Sequence, residues 1–300
     1  MRPARKETVT TALPVTIVIV SYNCRQPLQA CLLKLTAETD PPPILVVDNA
    51  STDGTAEMIA RDFPTVQLIQ NNKNQGFGAA CNQGIRACAS DFILLLNPDT
   101  MLRPATLQKL LDTMRAQPTI GACGPRVLNT DGSLQPSCRR FPTLGAIVCD
   151  ELGLGRLLPH SRFAKYRMNG WEHDKTRDVD QLMGSCLLLR RTTLEHIGLL
   201  DEQFFLYFED VDLCLRLRRT GWRVVFVAEL TVTHLGGECS NTDPRNSLGH
   251  RYSSLFAFYR KHYPAWHLPI LRLFVQIAAF ARVAGGHREY WPVARYAWKL

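Results

Sequence analysis

No stretch of ~20 uninterrupted apolar residues, the length a bilayer requires, occurs in the chain. The best candidate, LPILRLFVQIAAFARVAGG from Leu268, is broken by Arg272 and Arg282. A transmembrane span is therefore a poor fit, and a position in the membrane interface stays open. The opening MRPARKETVTTAL lacks the apolar segment of a signal peptide, so nothing argues for secretion, and residues 1–13 read as a flexible basic tail. The ten cysteines include no C-x-x-C pair and are scattered through apolar segments, which favours reduced, buried thiols and a cytoplasmic address. Internal repeats and low-complexity runs are also missing. Acids are scarce in the last fifth: residues 241–300 hold nine Lys or Arg against Asp243 and Glu289, a balance of +7 out of +8 for the whole chain. Aromatics are mixed among these bases. With no nucleic-acid motif beside them, they fit an anionic membrane surface and argue against a nucleic-acid partner. A solvated helical face packed on the main domain explains the same residues.

What is present has the composition of an ordinary globular protein, 46% apolar and 21% charged. Val15 to Val20 is a β-branched run suited to a strand buried on both faces. Leu28, Cys31, Leu32 and Leu35 then follow helical spacing, DPPP at 40–43 breaks the chain, and ILVV at 44–47 is a second strand ending in Asp48. A helix is predicted from near Ser51 to Thr55. Beyond it come a strand at 66–70, a helix at 76–89, a strand at 92–96 and a helix at 104–116 that opens on proline. This alternation implies α/β architecture, a mostly parallel central sheet with helices on both faces and ligands bound beyond the carboxyl ends of the strands. Residues 130–181 read as an irregular insert or loop over the site, order returns at 182–190, and Arg223 to Val227 is another strand. By this pattern the chain divides at 14–129, 130–240 and 241–300, the last a basic, aromatic-rich helical extension.

Several stretches carry polar groups where chemistry could occur. Asp48, at a strand end, either accepts hydrogen bonds from a ring imide or a ribose hydroxyl, or caps a turn. In LLLNPDT (94–100), Asn97 and Asp99 flank a proline and can turn toward one ion, for which Mg²⁺ or Mn²⁺ is the natural candidate; the alternative is a plain N-P-D turn. His234 in TVTHLGG either completes such a site or is structural. NQGFGAACNQG (74–84) lacks the dinucleotide fingerprint, so its glycines serve close packing on the sheet while Asn82 faces either a nucleotide or the core. FFLYFEDVDLC places Glu209, Asp210 and Asp212 after five large apolar residues. Acids there stabilise a helix start or react. Asp212 begins the apolar helical repeat that Gly221 would close, and reads as the structural one.

In order, S-Y-N at 21–23, V-V-D-N-A-S-T-D-G-T at 46–55, N-x-G-F-G-x-x-x-N-x-G at 74–84, L-N-P-D-T at 96–100, G-x-x-L-L-x-R-R at 184–191 and G-L-L-D-E-x-F-F-x-Y-x-E-D-V-D-L-x-x-R at 198–216 resemble an inverting family 2 glycosyltransferase. The subgroup most like it is rhamnosyltransferase-like and galactofuranosyltransferase-like. The resemblance covers about residues 14–240. It implies a GT-A fold with 14–129 as a nucleotide-sugar-binding half and 130–240 as an acceptor-binding and catalytic half, a nucleotide diphosphate sugar donor held by Ser21, Tyr22 and Asp48, a divalent metal on Asp99 and His234, and Asp210 as catalytic base. Beside these, Asn82 is a further candidate for the nucleotide, and Glu209 either contacts a glycan or lipid-linked glycan acceptor or orients Asp210. The resemblance further implies synthesis of cell-surface polysaccharide from a dTDP- or UDP-linked sugar such as rhamnose; the basic C-terminal segment, if it binds membrane, would place this at the inner face of the plasma membrane. Asn97 stands where many members carry Asp, and Cys81 where many carry Arg. The rival readings are a nucleotidyltransferase, which would carry a Gly- and Lys/Arg-rich phosphate loop where this chain has SYNCRQPL, and a sugar-nucleotide-binding protein without transfer activity.

Overall fold

The computed structural model describes residues 14–37, 39–156, 164–168, 171–236 and 244–299; the 1–13 tail and parts of the 130–181 insert lie outside them. The predicted alternation is present: β1 (Val15–Ser21), α1 (Arg25–Thr36), β2 (Ile44–Asp48), α2 (Thr55–Asp62), β3 (Gln67–Gln70), α3 (Phe77–Ala87), β4 (Phe92–Leu96), β5 (Thr100–Met101) and α4 (Pro104–Ala116). β1, β2 and β4 are buried along their whole length because both faces are covered, which is why they read as unbroken apolar runs. The second half adds β6 (Ile120–Leu128), β7 (Cys138–Arg139), α5 (Leu144–Glu151), β8 (Arg177–Asp178), β9 (Gln181–Leu182), β10 (Cys186–Arg190), α6 (Arg191–Ile197), α7 (Glu209–Arg219) and β11 (Arg223–His234). The C-terminal helices are α8 (Pro244–His262), α9 (His267–Ala284) and α10 (Trp291–Tyr296).

The main sheet runs β3-β2-β1-β4-β10-β6-β11-β5, with β8 beside β11. Only β10, β5 and β8 run against the rest. The carboxyl ends of β2, β1, β4 and β11 therefore share one edge, which brings Asp48, Ser21, Asn97 and His234 to it. One apolar layer packs α1, α2 and α4 on the sheet, and the opposite layer packs α3, α6 and α7. A third core joins Phe204, Phe208, Val211 and Leu215 to the C-terminal helices. α7 is thus apolar on two sides: Leu213, Cys214 and Leu217 face the sheet while Val211 and Leu215 face α8 and α9.

Two expectations need correction. β11 is one strand bent by a bulge between Val227 and Thr231, so two short apolar runs belong to a single element. Among the described residues eight cysteines are free thiols, but Cys24 is in a disulfide; spacing alone carries no trace of a bond formed by tertiary contact. The described part of the insert also holds α5 and three two-residue strands, too short to leave a periodic signal.

Candidate active site

At the β1–β2 end of the edge, Ser21 pairs in register with Asp48, and neither side chain is exposed. Among the described residues Ser21 Oγ and Asp48 Oδ1 have no hydrogen-bond partner, while Asp48 Oδ2 accepts from the Ser51 amide at 3.2 Å. Burial pushes the Asp48 carboxyl up against the opposing pull of Ser51. Two orphaned buried polar atoms on neighbouring strand ends are what a ligand's donors and acceptors would satisfy. Tyr22, next in the chain and 41% exposed, presents an open ring beside them.

The β4–β11 end brings the predicted metal residues together. His234 Nε2 lies 3.1 Å from Asp99 Oδ1 and 3.3 Å from Asn97 Nδ2. The pairing of Thr100 with His234 across β5 and β11 fixes this meeting, as does the Leu235 amide donating to Asp99 O. No motif marks Gln135, whose Oε1 accepts from His234 Nδ1–H at 2.6 Å. Its own amide donates to Asn129 Oδ1 at 2.8 Å, which sets which way the amide points. Nδ1 is so occupied, and Nε2 is the atom turned to Asp99. Among the described residues no three His, Cys, Asp or Glu side chains form a metal-holding group. Asp99 and His234 suit a hard or borderline divalent cation that takes its remaining ligands from a diphosphate and water.

α7 opens on the acids. Tyr207 and Phe208 both adopt left-handed backbone, at φ +66° and +69°, a costly pair that turns the chain sharply into the helix. The apolar run before the acids is the anchor for that turn: Phe204 is fully buried, the Phe77 amide donates to Phe205 O at 2.7 Å, and Ser254 Oγ donates to Leu206 O. Gly76, at φ +89°, permits this approach, since a Cβ there would stand 2.5 Å from Phe205 O. Asp210 stays partly exposed. Its Oδ2 accepts from the Gly184 amide and Gln181 Nε2, each at 3.2 Å, and its Oδ1 from the Val211 amide at 2.8 Å. Burial raises its pKa, and the Val211 and Gly184 amides draw it partly back. Ser185, next to Gly184, accepts the Asn97 amide at 3.0 Å, so Asp210 and the β4 edge are tied to adjacent residues.

The three acids differ in kind. Glu209 is 5% exposed and turned toward α3, close to Gly78 and Cys81. This corrects its expected place as an acceptor contact: it lies inside, with Oε2 unpartnered, and burial followed by the Asp210 charge pushes its pKa well up. Both carboxyls are thus pushed up, but only Asp210 keeps several hydrogen-bond donors that favour its charged form. Cys81 occupies the place where the motif more often has a cation, and its thiol is itself pushed up by burial. Asp212 is structural, as read: Arg216 Nε, Lys261 Nζ and His262 Nε2 donate to it at 2.7, 2.6 and 2.6 Å. Asn82 is also corrected. Both its amide hydrogens are used, on Leu200 O at 2.8 Å and Glu202 Oε1 at 2.9 Å, and its Oδ1 accepts the Leu200 amide. It ties α3 to the 200–202 turn and has no donor left for a nucleotide.

A family model described as Glycosyl transferase family 2 matches residues 16–198. The chain is 33% identical over 273 residues to an N-acetylglucosaminyl-diphospho-decaprenol L-rhamnosyltransferase of Mycobacterium tuberculosis, covering 86% of this chain and 87% of that protein. It is 27% identical over 229 residues to the rhamnosyltransferase WbbL of Escherichia coli, covering 73% of this chain and 83% of that one. Among solved structures it is similar to the mannosyltransferase PcManGT from Pyrobaculum calidifontis in complex with GDP-Man and Mn²⁺, with a TM-score of 0.55 and 17% identity over 96% of this chain and 74% of that one.

Proposed function

The chain belongs to glycosyl transferase family 2 and has a GT-A fold, and from that premise we propose an inverting transfer of a sugar, rhamnose first among candidates, from a dTDP- or UDP-linked donor to a hydroxyl of a lipid-linked glycan. The observation that carries the reaction type is Asp210: a partly exposed carboxyl aimed by two backbone amides and Gln181, donors that favour its charged form. One such base suffices for direct displacement at an anomeric carbon, because the acceptor hydroxyl must lose its proton as it attacks from the face opposite the nucleotide. The new glycosidic bond forms as the bond to the nucleotide diphosphate breaks, the proton passes to Asp210, and configuration inverts.

Ser21 and Asp48 hold the ribose and base through the polar atoms that lack partners among the described residues, with Tyr22 against the ring. Asp99 and His234 would hold Mg²⁺ or Mn²⁺, and such an ion would supply Lewis-acid neutralisation of the diphosphate's charge. Gln135 keeps the His234 ring in the orientation this needs. The acceptor reading is supported by the mycobacterial relative, whose name specifies a diphospho-decaprenol substrate.

Purified full-length protein offered UDP-, dTDP- and GDP-sugars with Mg²⁺ or Mn²⁺ and a polyprenyl diphosphate-linked acceptor tests this through released nucleotide and the anomeric configuration of the product. Asp210→Asn should lower transfer by about 100-fold or more. Full activity in that variant, or retention of configuration, would overturn the assignment.

A further inference from the structure

The C-terminal helices carry a surface that transfer chemistry does not use. Large apolar side chains exposed among the described residues are not scattered: apart from Tyr22 and Leu33, all lie between Trp266 and Trp298. On α9, Ile270, Leu273, Ile277 and Phe280 are 36–47% exposed and recur at spacings of three and four, one stripe along a helix ~27 Å long. Trp291 extends the stripe, its ring 6.4 Å from that of Phe280, and Trp298 lies beside α9 through a 2.9 Å hydrogen bond to Gln276 Oε1. A soluble surface rarely leaves so many large apolar groups contiguous.

We propose that this face docks on an anionic lipid bilayer, with α9 lying in the plane of the interface. Charge supports a membrane over other covers. Residues 244–299 hold nine Lys or Arg and Glu289 as their one acid, and the exposed bases Arg260, Arg288, Arg295 and Lys299 belong to the same segment as the stripe. Anionic headgroups attract such a segment, whereas a second copy would bring the same basic patch against itself in a two-fold interface. Tryptophan beside an apolar stripe is also what the headgroup level favours. α9 is long and apolar enough to cross a bilayer by length and composition, with mean hydropathy 1.4. Its other face is already taken, since Leu271, Val275 and Ala279 are buried in the third core and Arg282 donates to Glu151 Oε2 at 2.8 Å. A helix with one side in a protein core and the other bare enters a bilayer sideways.

The test is co-sedimentation of full-length protein with phosphatidylcholine vesicles made with and without phosphatidylglycerol, compared with the variant Leu273→Gln/Ile277→Gln/Phe280→Gln. All three side chains are exposed, so the variant should keep its melting temperature and its hydrolysis of a water-soluble nucleotide sugar. Wild type should pellet with the anionic vesicles and shift its tryptophan emission to the blue, and the variant's partition coefficient should fall by at least about tenfold. Wild type remaining in the supernatant at low salt, equal pelleting of the variant, or retention on vesicles after alkaline carbonate, the mark of a spanning helix, would overturn the proposal. A wild-type dimer that the variant disperses would assign the face to a second copy instead. Because vesicle binding is read without any sugar transfer, its failure is distinct from failure of the transferase reading.

Discussion

At the scale of single residues, the site works by giving neighbouring groups unequal environments. Glu209 is buried with an unpartnered oxygen and a raised pKa, so its ionisation opposes folding as pH rises from the ordinary carboxylate range through its folded value. Glu209→Gln should therefore stabilise the protein by about 1 kcal/mol at neutral pH, read as a higher melting temperature that converges with wild type in acid, without the loss of transfer that Asp210→Asn brings. Gln135 acts at one remove. Gln135→Ala frees His234 Nδ1 and should weaken Mn²⁺ affinity by about 10-fold or more, measured by calorimetric titration with the nucleotide diphosphate present, while melting is nearly unchanged. Asp48, Asp99 and Asp210 stood out as candidates because each sits at a strand or helix end within a recognisable motif. Gln135 was not, since it lies 99 positions from His234 in a stretch without periodicity, and only the tertiary hydrogen bond marks it. Glu209 and Asn82 were misread for a related reason: a sequence gives the position of a polar side chain but not which neighbour takes up its hydrogen bonds.

At the scale of elements, α7 joins the sheet to the C-terminal helices, and Asp212 is the join. Burial alone would raise its pKa, but hydrogen bonds from His262 and Lys261, with Arg216 beside them, bring it down to about 2. A depressed carboxyl pKa contributes stability that is complete above the unfolded value, about 4, and is lost as pH falls toward the folded one. Asp212→Ala should cost about 2 to 3 kcal/mol at neutral pH, less than for a wholly buried pair because Lys261 stays 28% exposed. Denaturant titrations of the two proteins should differ at pH 7 and draw together near pH 2. The alternation of strands and helices up to α4 was readable because each element there is long enough to show its period. Beyond it, β7, β8 and β9 are two residues each, and their pairing is set by partners distant in the chain.

At the scale of the whole molecule, the extension was legible as basic and aromatic but not as part of the catalytic half's own core. Tyr252, Phe256 and Phe258 are fully buried with Phe204 and Val211, while Arg251 and Arg282 donate to the buried Glu151. A chain ending at residue 240 should accordingly be recovered only in the insoluble fraction, whereas the triple glutamine variant of α9 should express as soluble protein; fractionation of both settles the comparison. The left-handed pair Tyr207–Phe208 has a further consequence. Two strained residues at the foot of a catalytic helix hold only while the cores on both sides grip it, so any loosening of α8 would first let the chain relax there and swing Asp210 away from Gly184. Mild heating or low denaturant should then silence the enzyme before it unfolds, and the turn would be its fuse.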